Sequence, residues 1–572
     1  MAPLLAQAQK PVVIEAAPTV DTFRLIEIVR GNSLRLKQID SFTSLQTIAG
    51  DVELREGLTI FQCDSATINK VTNVVEAFGN IHINQNDSIH TYSQYLKYVG
   101  ADQMAYLKKD VRLTDKKGTL YTQELEYDMK TNIGKYFNGG RVVNGKTTLT
   151  SKEGIYFADT RDVFFKRDVH LTDPKYRISS DSLRYNTEFQ QVEFITDTYI
   201  KTKEGSEIFT RTGNYDLKNG KAFFGNRTVF KDSSGTTYTA DNSAIDEASG
   251  SAQLEGNAVI RDSVNGYMIT GNQVFLNRKT NSFLATRKPV LIFKGDGNDS
   301  TFIAADTLYS GIITRDSLGK MQQKVTDTLK TETVVSGDSV LHRVDSTVSV
   351  TTGIANSINT TNDSVKTTTT KVVKDSMAIR ADTADIRFFQ AFRNVRIFND
   401  SLQAVCDSLY YSSLDSVFRM YRDPLVFSKA SQIMGDTIHL FTKNKKADRI
   451  YVFDKGMIIN KLNHQMFNQM GGRTLNGYFK DGELDYMRIK GFPAESVFYP
   501  MDDDSAITGM NRCHGDVIDI YFENRTVKKV KFINEVDGIL FPISQIPPDQ
   551  KELKGFIWLD KRRPKNKLEL FE

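Results

Sequence analysis

Apolar and polar side chains alternate along most of this chain, and the alternating segments recur at a nearly fixed distance. One segment reads Val75-Glu-Ala-Phe-Gly-Asn-Ile-His-Ile83, and the next copy reads Ala105-Tyr-Leu-Lys-Lys-Asp-Val-Arg-Leu113. Further copies begin at Val163, Ala252 and Phe389. A period of two predicts β-strands with one buried face, and a longer fixed period predicts stacked units. We therefore expect an elongated all-β stack of antiparallel strands, built from repeats of about 30 residues.

The middle of each copy carries a polar or glycine pair such as Gly-Asn, Lys-Asp or Arg-Asp. Such a pair indicates a bend or β-bulge, because Gly and Asn tolerate unusual φ angles. A second motif, Ser180-Asp-Ser-Leu-Arg-Tyr185, lies between the copies and recurs from Ala305, Cys406 and Gly435. Each unit is therefore expected to hold two strands, each with a corner. The corners of the first motif fall at residues 31, 50, 79, 109, 140, 167, 196, 225, 256, 288, 393 and 422.

Changes in this pattern divide the chain into segments. Residues 1–22 are expected to be a signal remnant or disordered tail, because Ala6-Gln7-Ala8 fits a signal-peptidase site but lacks a basic start and a full apolar core. Residues 312–380 are a low-complexity insertion rich in Ser and Thr, which we expect to be a mobile excursion, with a hairpin arm as the alternative because Thr and Val favour strands. The remaining segments are the β-stack at 23–311, its continuation at 381–453, C-terminal β-hairpin repeats at 454–545, and a poorly ordered basic tail at 546–572.

Composition narrows the function classes. Hydrophobic residues make up 40% of the 572 residues, which supports a folded chain. The net charge of +4 arises from 74 basic and 70 acidic residues, so the sequence shows no nucleic-acid footprint. No apolar run approaches the roughly 18 residues of a membrane-spanning helix. Cys63 and Cys406 occupy equivalent repeat positions, where a small side chain is expected rather than redox chemistry.

Signatures of catalysis and metal binding are missing from the sequence. It contains no P-loop, Rossmann glycine pattern, G-x-S-x-G or H-E-x-x-H. Cys513-His514 lacks ligand partners at a suitable spacing, and Asp502-Asp-Asp504 lacks the alternating oxygen ligands of a calcium loop. We therefore expect no catalytic residue, metal site or cofactor. Recurrent aspartates at one repeat position are expected at turns: Asp64, Asp181, Asp306, Asp407 and Asp436.

The buried apolar positions are the remaining candidates for function. Stacking of the strands would place them in files along one interior wall. Those files could line an open lipid groove or fill the core of a structural solenoid, and the residues alone leave both possibilities open. The positions are Val52, Leu54, Val75, Ile81, Ile83, Leu107, Val111, Leu113, Phe165, Val169, Leu171, Phe194, Leu254, Ile260, Val395 and Ile397.

The paired motifs, Gly-Asn-hydrophobic-x-hydrophobic followed by Ala/Cys/Ser-Asp-Ser-Leu-x-Tyr, resemble the OstA/LptA family of periplasmic lipopolysaccharide-transport proteins. The resemblance covers roughly residues 24–311 and 381–453, and the layout is similar to the long OstA-like proteins of the Bacteroidota type. It implies a β-jellyroll, or β-taco, of V-shaped strands, whose apolar groove carries the acyl chains of lipopolysaccharide toward the outer membrane. It also implies an exported periplasmic protein that docks by its strand edges onto inner-membrane LptC-like and outer-membrane LptD-like proteins. The chain departs from the family's small bridge domain in being far longer.

Two other classes compete with this lipid bridge. One is a structural or adhesive β-solenoid with a filled core and no lipid ligand. The other is a polysaccharide-processing β-helix enzyme, which is the weakest reading because no cluster of carboxylates or basic residues is evident on one face. About eleven repeats of two strands at ~4.8 Å give roughly 100 Å of stack, which suits a span between two surfaces.

Overall fold

The computed structural model describes residues 26–40, 43–295, 300–313, 386–443, 446–481, 483–502, 506–523 and 526–571. The expected N-terminal tail and the insertion, apart from residues 312 and 313, lie outside these ranges. The described chain forms 42 strands that are joined in one antiparallel sheet, which confirms the all-β stack. Within those ranges, no helix is long and apolar enough to cross a membrane.

The first half of the chain contains β1 (Glu27–Arg30), β2 (Ser33–Gln38), β3 (Ser44–Glu56), β4 (Thr59–Asn69), β5 (Val74–Gln85), β6 (Ile89–Val99), β7 (Met104–Thr114), β8 (Thr119–Asp128), β9 (Ile133–Tyr136), β10 (Gly140–Asn144), β11 (Thr147–Ser151), β12 (Glu153–Phe157), β13 (Asp162–Thr172), β14 (Tyr176–Asn186), β15 (Gln191–Phe194), β16 (Thr198–Thr202), β17 (Glu207–Thr210), β18 (Gly213–Asp216), β19 (Lys221–Phe224), β20 (Val229–Lys231), β21 (Thr237–Thr239), β22 (Asn242–Asp246), β23 (Ser251–Asp262), β24 (Tyr267–Asn277) and β25 (Ser282–Thr286). The second half contains β26 (Val290–Lys294), β27 (Ser300–Ala304), β28 (Thr307–Ile313), β29 (Ile386–Phe398), β30 (Gln403–Ser412), β31 (Val417–Tyr421), β32 (Leu425–Ser428), β33 (Ser431–Met434), β34 (Thr437–Lys443), β35 (Lys446–Phe453), β36 (Gly456–Lys461), β37 (Phe467–Gly472), β38 (Thr474–Lys480), β39 (Glu483–Phe498), β40 (Met510–Glu523), β41 (Thr526–Ile533) and β42 (Asp537–Phe541). Four short 3₁₀ turns follow, at Ile543–Gln545, Pro548–Gln550, Asp560–Arg562 and Lys567–Leu570.

Each long strand bends near its middle, so that its two halves belong to two facing half-sheets. We call the half-sheet that includes β1 and β42 arm A, and the one that includes β2 and β41 arm B. Shorter strands lie in one arm only. For example, β9 pairs within arm B and β10 within arm A, with a corner between them. The strand pairing of each arm continues from one end of the molecule to the other, over a length on the order of 130 Å.

Two devices form the corners. In odd strands such as β5, Gly79 and Asn80 have φ angles of 74° and 43°, and the register shifts between Phe78 and Ile81. In the partner strands a hydroxyl spans the bend, as where Ser180 donates to the carbonyl of Ser182 at 3.1 Å. Left-handed φ angles confirm the predicted corners at residues 50, 79, 109, 167, 256, 288, 393 and 422.

Alternate side chains of both arms point into a shared interior. Two clusters of buried apolar residues fill it, one from Ile26 to Phe230 and one from Ala240 to Phe522. Tyr238 packs against both clusters and joins them. The interior is therefore continuous along the stack.

The predicted boundary after residue 453 is not a structural boundary. β35 pairs with β38, and β38 pairs with β39, in the same antiparallel order as the strands before them. Val452, Leu475 and Ile489 are fully buried in the second cluster. The hairpin repeats therefore continue the stack, because their inner faces complete the same apolar core.

The prediction of a poorly ordered C-terminal tail is wrong. Residues 542–571, which we call the strap, run back along the outer face of arm A. The side-chain amide of Gln432 donates to the carbonyl of Ile557 and accepts from the amide of Leu559, at 2.8 and 2.7 Å. Gln469 makes the same pair of bonds to Lys551 and Leu553, at 2.9 and 2.8 Å. Because apolar strap residues also bury against the sheet, the segment has enough contacts to offset its ordering entropy.

Candidate functional site: the apolar interior and its mouth

An unbroken file of inward-facing side chains follows arm A. Each member lies directly opposite the next member on the neighbouring strand, and nearly all are apolar. The file contains Ile28, Leu54, Phe61, Ile83, Thr91, Leu113, Leu120, Val142, Leu149, Leu171, Ile178, Ile200, Ile208, Phe230, Tyr238, Ile260, Ile269, Leu291, Ile303, Ile397, Ala404, Val426, Ile433, Ile458 and Met470.

A second file follows arm B and faces the first one. Its members are likewise paired in register from strand to strand. From β13 onward the file contains Phe165, Leu183, Phe194, Gly213, Phe224, Ser243, Leu254, Val274, Ala285, Leu308, Ala391, Leu409, Met420, Ile438, Val452, Leu475, Ile489, Ile518 and Phe532.

All sixteen residues singled out from the sequence face this interior, and none is more than 5% exposed. They do not lie on one wall, because the corners send the two halves of each strand into different arms. Arm A holds Val52, Leu54, Ile81, Ile83, Val111, Leu113, Val169, Leu171, Ile260, Val395 and Ile397, and arm B holds Val75, Leu107, Phe165, Phe194 and Leu254.

The strand turns of the two arms meet on the side of the stack opposite the corners, and we call this line of contact the mouth. On arm B, the file of inward-facing positions nearest the mouth has a tyrosine on every second strand. Each tyrosine lies opposite small or β-branched residues, such as Ala105, Gly134 and Val163. We call this set the tyrosine row. It contains Tyr98, Tyr127, Tyr156, Tyr185 and Tyr215.

Hydroxyls of the tyrosine row reach polar residues at the ends of arm A strands. Tyr98 donates to the carboxylate of Glu56, and Tyr156 donates to Asp115 at 2.5 Å. Tyr127 donates to the side-chain oxygen of Gln85 at 3.2 Å. These bonds close the mouth, since donor and acceptor belong to opposite arms.

We call each pair of a tyrosine and its acceptor a rung. The last rung has two tyrosines that share one acceptor. Tyr215 of arm B and Tyr176 of arm A both donate to Glu247, the latter at 2.5 Å. Burial raises the pKa of every hydroxyl in the tyrosine row above the ordinary value. The hydroxyls therefore stay protonated and act as donors at neutral pH.

The tyrosine row was not predicted from the sequence, although its spacing is a signal. The five tyrosines follow one another at intervals of 29 or 30 residues. Of the five, Tyr185 is the one that ends the Ser180-Asp-Ser-Leu-Arg-Tyr185 motif. The acceptors could not be found in the same way, because Glu56, Gln85 and Asp115 differ in residue type and their position depends on the closure of the arms.

The interior is incompletely filled beneath two of the rungs. A cavity of about 20 Å³ lies under the Tyr156–Asp115 bond and is lined by Leu113, Val142 and Val163 among others. A second cavity of about 40 Å³ lies under the shared rung at Glu247 and contacts residues of both arms. A third cavity, of about 20 Å³, lies between the arms in the other half of the stack, among Ser401, Lys429, Glu483 and Phe522.

Lysines mark the strand turns on both sides of the mouth. They are exposed, and acidic residues such as Asp87, Asp102 and Glu188 are exposed in the same set of turns, so the apolar interior is bordered by charges of both signs. On arm A the turns carry Lys116, Lys117, Lys146, Lys175 and Lys203, and on arm B they carry Lys70, Lys130, Lys218 and Lys279.

The cysteines are structural side chains. Cys63 and Cys406 lie inside the corners, and burial raises the pKa of both thiols to about 12. The thiol of Cys513 contacts the carbonyl of its own neighbour His514. In the part of the chain that the structure describes, no three side chains are grouped as metal ligands would be.

Comparison with known proteins gives one family. Residues 24–181 match the model of a family described as "OstA-like protein", which confirms the resemblance inferred from the repeats. The matched range spans β1 to most of β14 and contains three of the mouth-closing bonds. No curated protein matches the chain.

Proposed function

Because the first part of the chain is OstA-like in sequence, we propose that this protein is a periplasmic bridge that binds lipopolysaccharide. It holds the acyl chains between the two arms and carries them toward the outer membrane. The role is transport by binding, without a catalytic step. The observation that carries this proposal is the pair of apolar files, which follow the interior in register from β1 to β37 in arm A and from β13 to β41 in arm B.

The chemistry of the interior and the mouth supports an amphiphilic ligand. Apolar files suit acyl chains, which gain free energy by leaving water. Among the charged residues beside the mouth, exposed lysines such as Lys130, Lys175 and Lys218 suit phosphate groups, since ammonium groups attract anions. A lipid that carries several acyl chains and an anionic saccharide head matches both features.

The ends of the stack support docking to other proteins by strand addition. Among the described residues, β1 and β2 pair only with β3, so in this part of the chain their outer edges carry backbone groups available for another strand. Inward-facing Leu34 and Leu36 are 55% and 67% exposed at this end. Strands of an inner-membrane LptC-like and an outer-membrane LptD-like protein would extend the arms and cover these side chains.

The alternative is a structural or adhesive β-solenoid with a filled core. One observation favours it: the interior side chains are buried against one another, and the cavities at Tyr156, Glu247 and Lys429 are only about 20 to 40 Å³. A lipid path therefore requires the arms to separate, whereas a solenoid requires them to stay packed.

A charge placed inside the path separates the two functions. Ile83 is 4% exposed in the arm A file, and the adjacent His82 faces the other side of the same strand. We expect Ile83→Asp to abolish transport of lipopolysaccharide to the cell surface, because a carboxylate would lie in the apolar path. His82→Asp is the matched control and should leave transport within about twofold of wild type.

Stability is measured in parallel, because Ile83→Asp also weakens the core. Hydrogen exchange of strands β4 to β7 shows whether the two variants keep the fold. Loss of transport with exchange close to that of wild type supports the bridge. Normal transport by a folded Ile83→Asp protein contradicts it.

A further inference from the structure

We propose that the tyrosine row is a latch, and that the groove opens along its mouth when Tyr98, Tyr127 and Tyr156 release their partners in arm A. This inference rests on the proposed function for its ligand, since acyl chains are what would enter the opened mouth. The latch itself is a property of the protein and can be tested without lipid.

The bonds across the mouth form a regular series. Donor and acceptor are 41 or 42 residues apart in each of the three rungs, and the rungs recur with the repeat. Two acceptors are the carboxylates of Glu56 and Asp115, and the middle one is the amide of Gln85. Hydrogen bonds to carboxylates are stronger than those to amides. The tyrosine bond to Gln85 is therefore the weakest of the three, and the amide of Gln85 adds a second bond across the mouth by donating to the side-chain oxygen of Asn132 at 2.8 Å.

The rings of the row are buried, and the residues directly opposite them on the neighbouring strands are small. Tyr127 lies between Ala105 and Gly134 on the neighbouring strands, and Tyr156 lies between Gly134 and Val163. A ring flanked by Gly, Ala or Val can change rotamer without displacing a large side chain. Alternation of tyrosine with small residues is therefore the arrangement that a hinged latch needs.

Packing beneath the latch is loose where the arms must part. The cavities of about 20 and 40 Å³ lie directly under the Tyr156–Asp115 rung and under the shared rung at Glu247. Protein interiors otherwise have few voids of this size. Separation of the arms at these rungs therefore breaks few packing contacts next to each cavity.

The fourth member of the row points to the ligand. The hydroxyl of Tyr185 is buried and has no hydrogen-bond partner among the residues that the structure describes, while nearby Asn144 donates to the carbonyl of Thr187 instead. Buried hydroxyls in native proteins usually have a partner. A hydroxyl or phosphate oxygen at the junction of head group and acyl chains would supply one, and would place that junction at the row.

The latch occupies one half of the molecule. In the same file beyond Tyr215, the corresponding positions are Ile245 and Leu276. The strap covers arm A only in the other half, from β27 onward. Acyl chains therefore enter between β3 and β19, where the mouth is latched and the outer face has no strap.

Distance measurements on the full chain test the latch. Nitroxide labels are attached to cysteines introduced at Lys117 and Thr160, which lie in exposed turns on opposite sides of the Tyr156–Asp115 rung. The native thiols are buried, so labelling at neutral pH is confined to the new sites. Labels at Lys117 and Lys146, in neighbouring turns of arm A, give the control distance.

Pulsed electron paramagnetic resonance measures the distance between the labels after each of two perturbations. The first is addition of lipid A in detergent micelles, with its deacylated backbone as control. The second is the triple variant Tyr98→Phe, Tyr127→Phe and Tyr156→Phe, measured without lipid. Tyr136→Phe is the matched variant, because Tyr136 bonds Ser151 at 2.7 Å deep in the interior and not at the mouth.

Lipid A and the triple variant should each lengthen the Lys117–Thr160 distance by about 4 Å, the thickness of one hydrocarbon layer in contact. The control distance and the Tyr136→Phe protein should not change. An unchanged distance in the triple variant overturns the latch. Capture of lipid A by the interior without any change in distance also overturns the latch, but this result agrees with the proposed function. Widening in the triple variant with no binding of lipid A supports the latch and contradicts the proposed function.

Discussion

The guanidinium of Arg563 donates two hydrogen bonds to the side-chain oxygen of Gln403, at 2.9 Å from Nε and 2.6 Å from Nη2. The two residues are 160 positions apart, and Gln403 is 4% exposed. A third bond joins Arg563 to the carbonyl of Lys429 at 2.5 Å. One strap side chain thus connects β30 with the turn that follows β32, so the strap reinforces the C-terminal half of arm A.

Replacing Arg563 should loosen that half alone. We expect Arg563→Ala to reduce protection of β30 and β32 in hydrogen exchange by about 2 kcal/mol, because bonds to a charged donor contribute about 1.5–3 kcal/mol. Arg422→Ala is the control, since Arg422 is 80% exposed in its ion pair with Asp407 and should change protection by less than about 1 kcal/mol. Equal effects of the two substitutions would show that the strap does not fix the sheet.

Corner glycines should differ in cost according to the space around them. A Cβ at Gly79 would lie 2.3 Å from Oδ2 of Asp64, whereas a Cβ at Gly139 would meet nothing within 4 Å. Both have left-handed φ angles, of 74° and 93°. Gly139→Ala should therefore show backbone strain alone, about 1–2 kcal/mol. Gly79→Ala should cost about 1–3 kcal/mol more, because Asp64 must move.

Local hydrogen exchange measures these costs, since unfolding of so long a stack is not expected to be two-state. The strands to follow are β4 and β5 for Gly79→Ala, and β8 and β10 for Gly139→Ala. A larger loss of protection for Gly139→Ala would contradict the crowded corner at Asp64.

High pH should open the mouth. Burial raises the pKa of Tyr98, Tyr127 and Tyr156 in the closed protein, so the closed form binds protons that an exposed tyrosine would lose. The resulting stability is fully present below the ordinary tyrosine pKa of about 10 and is lost as the pH rises above it. Tyrosinate absorbance and the Lys117–Thr160 distance should then increase together. Ionisation of these tyrosines at pH 10 without any opening of the mouth would contradict the latch.

Much of this architecture could be predicted from the chain. Alternation around Ile83 and Leu113 gives strands with one buried face, and pairs such as Gly79-Asn80 give the bends. The two-arm arrangement could not be read in the same way. Alternation shows which side of a strand is buried, but it does not show to which arm each half of the strand belongs. Val75 lies in arm B and Ile83 lies in arm A, although both belong to β5.

The strap and the latch depend on contacts far apart in sequence. The strap segment is basic and shows no period, and its bonds reach Gln403, Gln432 and Gln469 across 82 to 160 residues. The three glutamines look like ordinary surface residues in the sequence. Their role appears only when the register of arm A places them on one outer file.

Photo-crosslinking tests the central claim, that acyl chains lie between the arms, most directly. The probe is placed on inward-facing Ile83, Leu113 and Leu171, and then on their outward-facing neighbours at positions 82, 112 and 170. A shift of one residue moves the probe to the opposite face of the strand. We predict capture of lipopolysaccharide from the three inner positions and from none of the outer ones. Equal capture from both sets, or no capture while the transport machinery is active, would contradict the bridge and favour the filled solenoid.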